Sequence, residues 1–168
     1  KKPDSAFSQG VVKIASEKEL REKSADFLGD SDLLIAQEFL PTTFDWRIGI
    51  LDQRPLFACR YFMAPGHWQI VKQERDGRGR YGKTETIPVE LAPRKAVKLA
   101  LKAANLIGDG LYGVDVKESN GKFYIIEVND NPNIDADSED MILKEDLYNR
   151  IMEVFVKRME QRTARIED

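Results

Sequence analysis

The chain has 168 residues, with 26 Lys and Arg against 29 Asp and Glu, for a formal charge of −3. That length suits one domain or two small lobes and is enough for a real core. The charges are mixed, so no global basic surface argues for nucleic acid, and no apolar run is long enough to span a bilayer. Cys59 is the only cysteine and His67 the only histidine, which removes an intrachain disulfide and disfavours a zinc site or a His-based catalytic pair. These counts fit a reducing compartment, so the expected location is the cytoplasm. The chain starts Lys1-Lys2-Pro3 without an initiator Met, which reads as a piece of something longer.

Residues 1–10, KKPDSAFSQG, form a loop able to offer backbone N–H groups to phosphate, or else an ordinary surface loop. Val11 to Ile14 reads as a strand. Ser16 to Glu19 has capping-box spacing, and a helix is expected to about Leu28, before Gly29. Leu33 to Leu40 is an apolar strand stopped by Pro41. Phe44–Leu51 and Leu56–Phe62 then form a hairpin around Asp52-Gln53-Arg54-Pro55. A two-residue turn there puts Asp45, Arg47, Ala58 and Arg60 on one face. Two guanidiniums beside an acid can clamp a phosphate or carboxylate through their planar forks. The plain alternative is an exposed face balanced by local acids.

His67 to Gln73 reads as another strand. Glu74 to Lys83, ERDGRGRYGK, is a glycine-rich basic tip, either a solvated hairpin end or a mobile flap over an anionic substrate. Pro93 opens a helix with Val97, Ala100, Leu101 and Ala104 at helical spacing, ended by Gly108. A last helix is expected from about Ser138 to Arg162, with Leu147, Ile151, Val154, Phe155 and Arg158 along its inner stripe and rim and a tail fraying from Gln161. Hairpins in place of regular βαβ units make the fold class α+β, a mostly antiparallel sheet flanked by helices.

Chemistry concentrates in Gly110–Pro132, GLYGVDVKESNGKFYIIEVNDNP. Tyr112, Val114 and Val116 share one face of the first strand, and Tyr124, Ile126 and Val128 one face of the second. If both apolar sets meet one core, Asp115, Glu127 and Asn129 are left together on the other face. A two-residue Asn120-Gly121 turn gives the wrong parity; a three-residue loop with Gly121 left-handed, forming a bulge, gives the right one. Two carboxylates and an amide oxygen, with no Cys or His, suit a hard cation such as magnesium. The plain alternative is a solvated sheet face. The crowded Val128-Asn129-Asp130-Asn131-Pro132-Asn133 end favours a functional loop.

In this order, the basic start, the Asp45-x-Arg47 strand, Arg60 and the Asp115…Glu127-x-Asn129 face resemble the ATP-grasp ligases, and most closely their RimK-like branch. The resemblance runs from Lys1 to about Gln161, and its most specific part is Glu127 to Pro132 with Asp115 on the preceding strand. It implies an ATP-grasp fold with an incomplete nucleotide lobe: residues 1–40 as the remainder of that lobe, and 41–168 as the C-terminal lobe with the metal site. It implies that Lys1 contacts nucleotide phosphates, that the loop containing Ser8 folds over them, and that Gln37, Glu38, Phe39 and Leu40 form the hinge that reads adenine. Asp45 takes a ribose or substrate-side role. Arg47 and Arg60 hold the terminal phosphate and acyl-phosphate, and Asp115, Glu127 and Asn129 hold Mg2+, with Mn2+ as its alternative.

The implied reaction joins a carboxylate to an amine through an acyl-phosphate, releasing ADP and phosphate, and needs positioning and charge stabilisation more than a protein nucleophile. The implied partners are ATP, an amino-acid or peptide/protein-tail substrate, and a missing N-terminal part of the same protein. No nucleic acid or membrane is expected, and a homo-oligomer stays open. The segment after the second arginine is Tyr61 to Trp68, not the Arg-Ser-Asn stretch of the branch. Asp130-Asn131-Pro132-Asn133 replaces its small residues after the metal Asn, so the substrates are left open. Competing readings are a non-catalytic nucleotide-binding module of the same fold and, ranked lowest, a metal-dependent hydrolase.

Overall fold

A computed structural model describes residues 1–3, 10–74 and 78–167. The residues divide into two compact units, 1–41 with 63–82 and 42–62 with 83–168, so the first is discontinuous in sequence.

In the first unit the capping box folds as its spacing predicts. Helix α1 spans Glu17–Leu28, the Ser16 side chain accepts from the Glu19 N–H, and Glu19 reaches back to the Ala15 N–H at 2.8 Å. The strands expected at 11–14 and 33–40 do not form. A strand exists only as part of a ladder, and among the described residues Lys1 and Ile35 exchange backbone hydrogen bonds of 2.8 and 2.9 Å without a ladder extending from them. The strand expected at 67–73 shortens to β3, Val71–Gln73, which pairs with β4, Gly79–Tyr81. Part of the basic segment is therefore a strand, while residues 75–77 lie outside the described residues.

The second unit is built on an antiparallel sheet of β1 (Phe44–Leu51), β2 (Arg54–Phe62), β5 (Thr84–Ile87), β6 (Leu111–Ser119) and β7 (Lys122–Asn129), in the order β5-β2-β1-β6-β7. Its back face is covered by α2, Arg94–Asn105. The small side chains of Ala96, Ala100 and Ala104 let that helix lie close over Ile48, Ile50, Val114 and Val116, all of them fully buried. One end of the front face is covered by the segment after β7 and by α3, Glu145–Glu167. There Leu147 packs with Leu51, Leu56, Phe57 and Cys59.

α3 starts seven residues later than the expected Ser138 and continues to Glu167. The acidic run that imitates a helix start is instead a compact turn held by two buried carboxylates. Glu139 accepts from the Asp135 N–H, and Asp140 from the Asp137 N–H, each at 2.8 Å.

Both hairpins turn on two residues with left-handed backbone, Asp52-Gln53 and Asn120-Gly121, and both carry a bulge further along. In the first hairpin the register slips between Gly49 and Ile50, leaving Leu56 as the extra residue. Arg60 therefore lies opposite Trp46 and not on the face of Arg47, which corrects the shared face expected for the two arginines. In the second, no three-residue loop forms. The slip falls between Asp115 and Val116, with Ile126 extra, and it restores the parity that the two-residue turn alone would lose. Phe123, Ile125 and Val128 pack on the core, whereas Tyr124, expected there, stands opposite Lys117.

Candidate functional site

Register assembles the site on the front face, beyond the end that α3 covers. Arg47 on β1 pairs with Asp115 on β6, and Asp115 pairs with Glu127 on β7. Directly opposed residues share a face, so all three side chains stand on one surface. Gly113 pairs with Asn129, whose side-chain amide donates to the Gly113 carbonyl at 3.0 Å. That bond uses an amide N–H and leaves the amide oxygen as an acceptor. Asp115, Glu127 and Asn129 are thus brought together as their spacing predicts.

Arg47 and Asp115 form a fork. The guanidinium donates through Nε to one carboxylate oxygen and through Nη2 to the other, the latter at 3.0 Å. Burial works against both charges. For Arg47 the Asp115 carboxylate outweighs that cost and holds its pKa above the ordinary value. For Asp115 burial is the larger effect and pushes the carboxyl above its ordinary range, with Arg47 and Asn129 pulling back only part of the way. Glu127 is exposed, at the open edge of the same surface.

A second buried pair lies beside the first. Lys117, two residues along β6 from Asp115, donates to Asp45 and to Thr42, each at 2.6 Å. The carboxylate of Asp45 is thereby held by protein donors, and Lys117 is a site-face cation that the sequence reading passed over. Alternation along β6 from Asp115 was the signal that could have found it.

Tyr61 and Glu139 were also missed. The phenol of Tyr61 donates to Glu139, and the Arg47 guanidinium lies 5.1 Å from the centre of the Tyr61 ring. No sequence signal joins residues so far apart in the chain.

The structure does not bring Arg60 to this surface. On the back face its guanidinium lies 5.1 Å over the Trp46 ring and pairs with Glu85 at 3.5 Å, and among the described residues its buried Nε has no hydrogen-bond partner. In the first unit Gln37, Glu38 and Phe39 are exposed and Leu40 half-buried; Phe39 meets Trp68 edge-on at 5.8 Å, with the Lys13 ammonium 3.9 Å from its ring. Lys1 is half-buried, and Ser8 lies outside the described residues.

The donor set fits magnesium. Among the described residues no three His, Cys, Asp or Glu side chains are grouped to hold a metal. The chain offers two carboxylates and an amide oxygen, and magnesium completes such a set with water and phosphate oxygens. No helix among the described residues is long and apolar enough to cross a membrane.

The chain is similar to D-alanine–D-alanine ligase from Bacillus anthracis at 18% identity and a TM-score of 0.63, over 95% of this chain and 55% of that one. The same ligase complexed with ATP matches at 18% identity and a TM-score of 0.64, over 91% and 53%. The chain therefore spans about half the length of the ligases it matches, and it shares their ATP-grasp fold. A looser likeness, at a TM-score of 0.37 and 21% identity, covers 54% of this chain and 25% of the ATP-grasp ligase PsnB complexed with a precursor variant, Mg and ADP. No curated protein sequence matches. The RimK-like ATP-grasp domain matches residues 69–155, just over half of the chain and including Asp115, Glu127 and Asn129, and the chain belongs to that family.

Proposed function

We propose that this chain carries the phosphate-facing and metal-facing surface of an ATP-dependent ligase that joins a carboxylate to an amine. A carboxylate oxygen attacks the γ-phosphorus of ATP and ADP leaves. The amine nitrogen then attacks the acyl carbon, phosphate leaves, and a proton is released. The substrate is an amino acid or a peptide or protein tail, by analogy with the family.

The observation that supports this reading best is the front-face trio of Asp115, Glu127 and Asn129 beside Arg47. These three residues hold magnesium, which when bound neutralises phosphate charge. Asp115 takes two N–H donors of Arg47. A guanidinium has about five, so the remainder can hold a phosphate oxygen whose charge grows during transfer. Lys117 keeps the Asp45 carboxylate paired, so Asp45 supports the site in place of binding ribose directly. Arg60 faces the other way and takes no part in holding phosphate. For the first unit the family resemblance assigns nucleotide contacts to Lys1, Ser8 and Gln37 to Leu40, of which Ser8 lies outside the described residues. Manganese can replace magnesium on such an oxygen set, and the cytoplasm is the compartment that suits ATP and a free thiol.

The test is calorimetric titration of ATP into the chain with and without magnesium, repeated with Glu127→Gln. The expected result is magnesium-dependent binding that Glu127→Gln weakens at least tenfold. Equal affinity in the variant overturns the metal assignment. Release of ADP stimulated by one of a panel of amino acids and peptides then separates a ligase from a nucleotide-binding module that does not turn over.

A further inference from the structure

We propose that Tyr61 and Glu139 are positioning residues for Arg47. They form a strut that fixes the direction of its guanidinium before any nucleotide arrives. This inference rests on the reading of Arg47 as the phosphate-facing arginine.

Glu139 is only 2% exposed, yet both its oxygens are used: one accepts the Tyr61 phenol, and the other accepts the Asp135 N–H at 2.8 Å. A buried carboxylate is tolerated when each oxygen is satisfied in this way. Burial, with Glu139 alongside, keeps the Tyr61 phenol above its ordinary range, so it remains a donor. The phenol ring is consequently held at both ends, by its strand and by its hydroxyl.

Arg47 rests on that ring. Arg47 pairs with Cys59 across the β1–β2 ladder, which makes Tyr61 its diagonal neighbour, and the 5.1 Å separation lies within cation–π range. The segment that supplies Glu139 closes a third side. A side chain added at Gly113 would meet Pro132 at 2.7 Å and the Arg47 Cδ and Nη1 at 3.1 Å, so Pro132 and the Arg47 stem fill the space over that glycine. The guanidinium therefore has Asp115 at its fork, an aromatic ring against it and Pro132 near its stem. A role limited to packing would need neither the hydroxyl nor a buried acid to receive it. Groups held this way lose little freedom on meeting a ligand, which is what a phosphate-facing donor requires.

The experiment uses the full chain and three measurements: the solvent-exchange rate of the Arg47 Nε–H by NMR without nucleotide, the affinity for magnesium and ATP by calorimetry, and the thermal midpoint. Tyr61→Leu should speed the Arg47 exchange at least tenfold and weaken ATP binding about tenfold, the scale of one well-made polar contact. Tyr61→Phe keeps the ring and should fall between Tyr61→Leu and the parent. Glu139→Gln, nearly isosteric, should also speed the exchange, and it carries the test if Tyr61→Leu fails to fold. Thr86→Val cuts another tie to the same segment, the 2.6 Å bond from the Thr86 hydroxyl to the Ser138 carbonyl. It should lower the midpoint and leave Arg47 exchange unchanged. If Tyr61→Leu and Glu139→Gln lower the midpoint yet leave Arg47 exchange as in the parent, the two residues only pack and the inference is overturned. If the parent chain binds no ATP, the ligase reading fails, while the exchange measurement still decides the strut.

Discussion

Arg47 and Asp115 face each other across the β1–β6 ladder and close a two-pronged ion pair at the middle of the site surface. The pair is well shielded, at 12% and 15% side-chain exposure, so losing one partner strands the other. Arg47→Leu should cost about 3 kcal/mol of folding stability near neutral pH, read by chemical denaturation. Burial already pushes the Asp115 carboxyl upward, and removing Arg47 raises it further. A carboxyl with a raised folded pKa loses stability as pH rises through that value, so the deficit should shrink as pH falls towards 4. Adding Asp115→Leu should restore part of the loss at pH 7; a double variant no more stable than the single one would contradict the pairing.

Gly113 lies where no side chain fits. A Cβ there would meet the rigid ring of Pro132 at 2.7 Å as well as Arg47 at 3.1 Å. Gly113→Ala should destabilise by about 1–3 kcal/mol, the range for an overfilled site, and should weaken ATP binding by displacing Arg47. Calorimetry and denaturation together check both effects, and an alanine variant matching the parent in each would refute the close approach.

The turn of the site hairpin asks for left-handed backbone at Asn120, with φ of 51°. Asn120→Val should cost about 1–2 kcal/mol and Asn120→Gly close to nothing, because only the branched side chain is excluded from that region. A denaturation series over the two variants measures the difference.

Cys59 is fully buried beside Thr86, and burial pushes its thiol up to about 12. In the folded chain it should resist alkylation at pH 8.5 and react only as fast as the protein opens. The folded thiol keeps its proton where the unfolded one loses it, so stability should fall as pH rises above about 8.5, by at most about 1.4 kcal/mol per pH unit for this group. Cys59→Ala should remove that early part of the alkaline slope; an unchanged slope would place it elsewhere.

What the linear chain determined by itself is the local chemistry. Ser16 and Glu19 mark the start of α1 because a capping box satisfies its own N–H groups without help from the rest of the fold. Gly121 marks where the site hairpin turns, because glycine accepts left-handed backbone, although the loop is two residues and not the three expected. Asp115, Glu127 and Asn129 share a surface once the apolar residues between them are required to reach one core.

Only the tertiary structure decided where each register slips. Tyr124-Ile125-Ile126 and Leu56-Phe57 are runs of apolar residues that satisfy a core in either parity, so alternation says nothing there and packing chooses. In the site hairpin the slip keeps Asp115 with Glu127, although it occurs at Ile126 and not at the turn. In the first hairpin an equivalent slip at Leu56 sends Arg60 to the back face, reversing the reading that had set it beside Arg47. The expected strands at 11–14 and 33–40 needed ladder partners that no local pattern can supply, and Glu139 meets Tyr61 only because the chain folds back over the sheet. Propensity and capping act within a few residues, whereas register and the pairing of buried polar groups are settled by contacts between segments far apart in sequence.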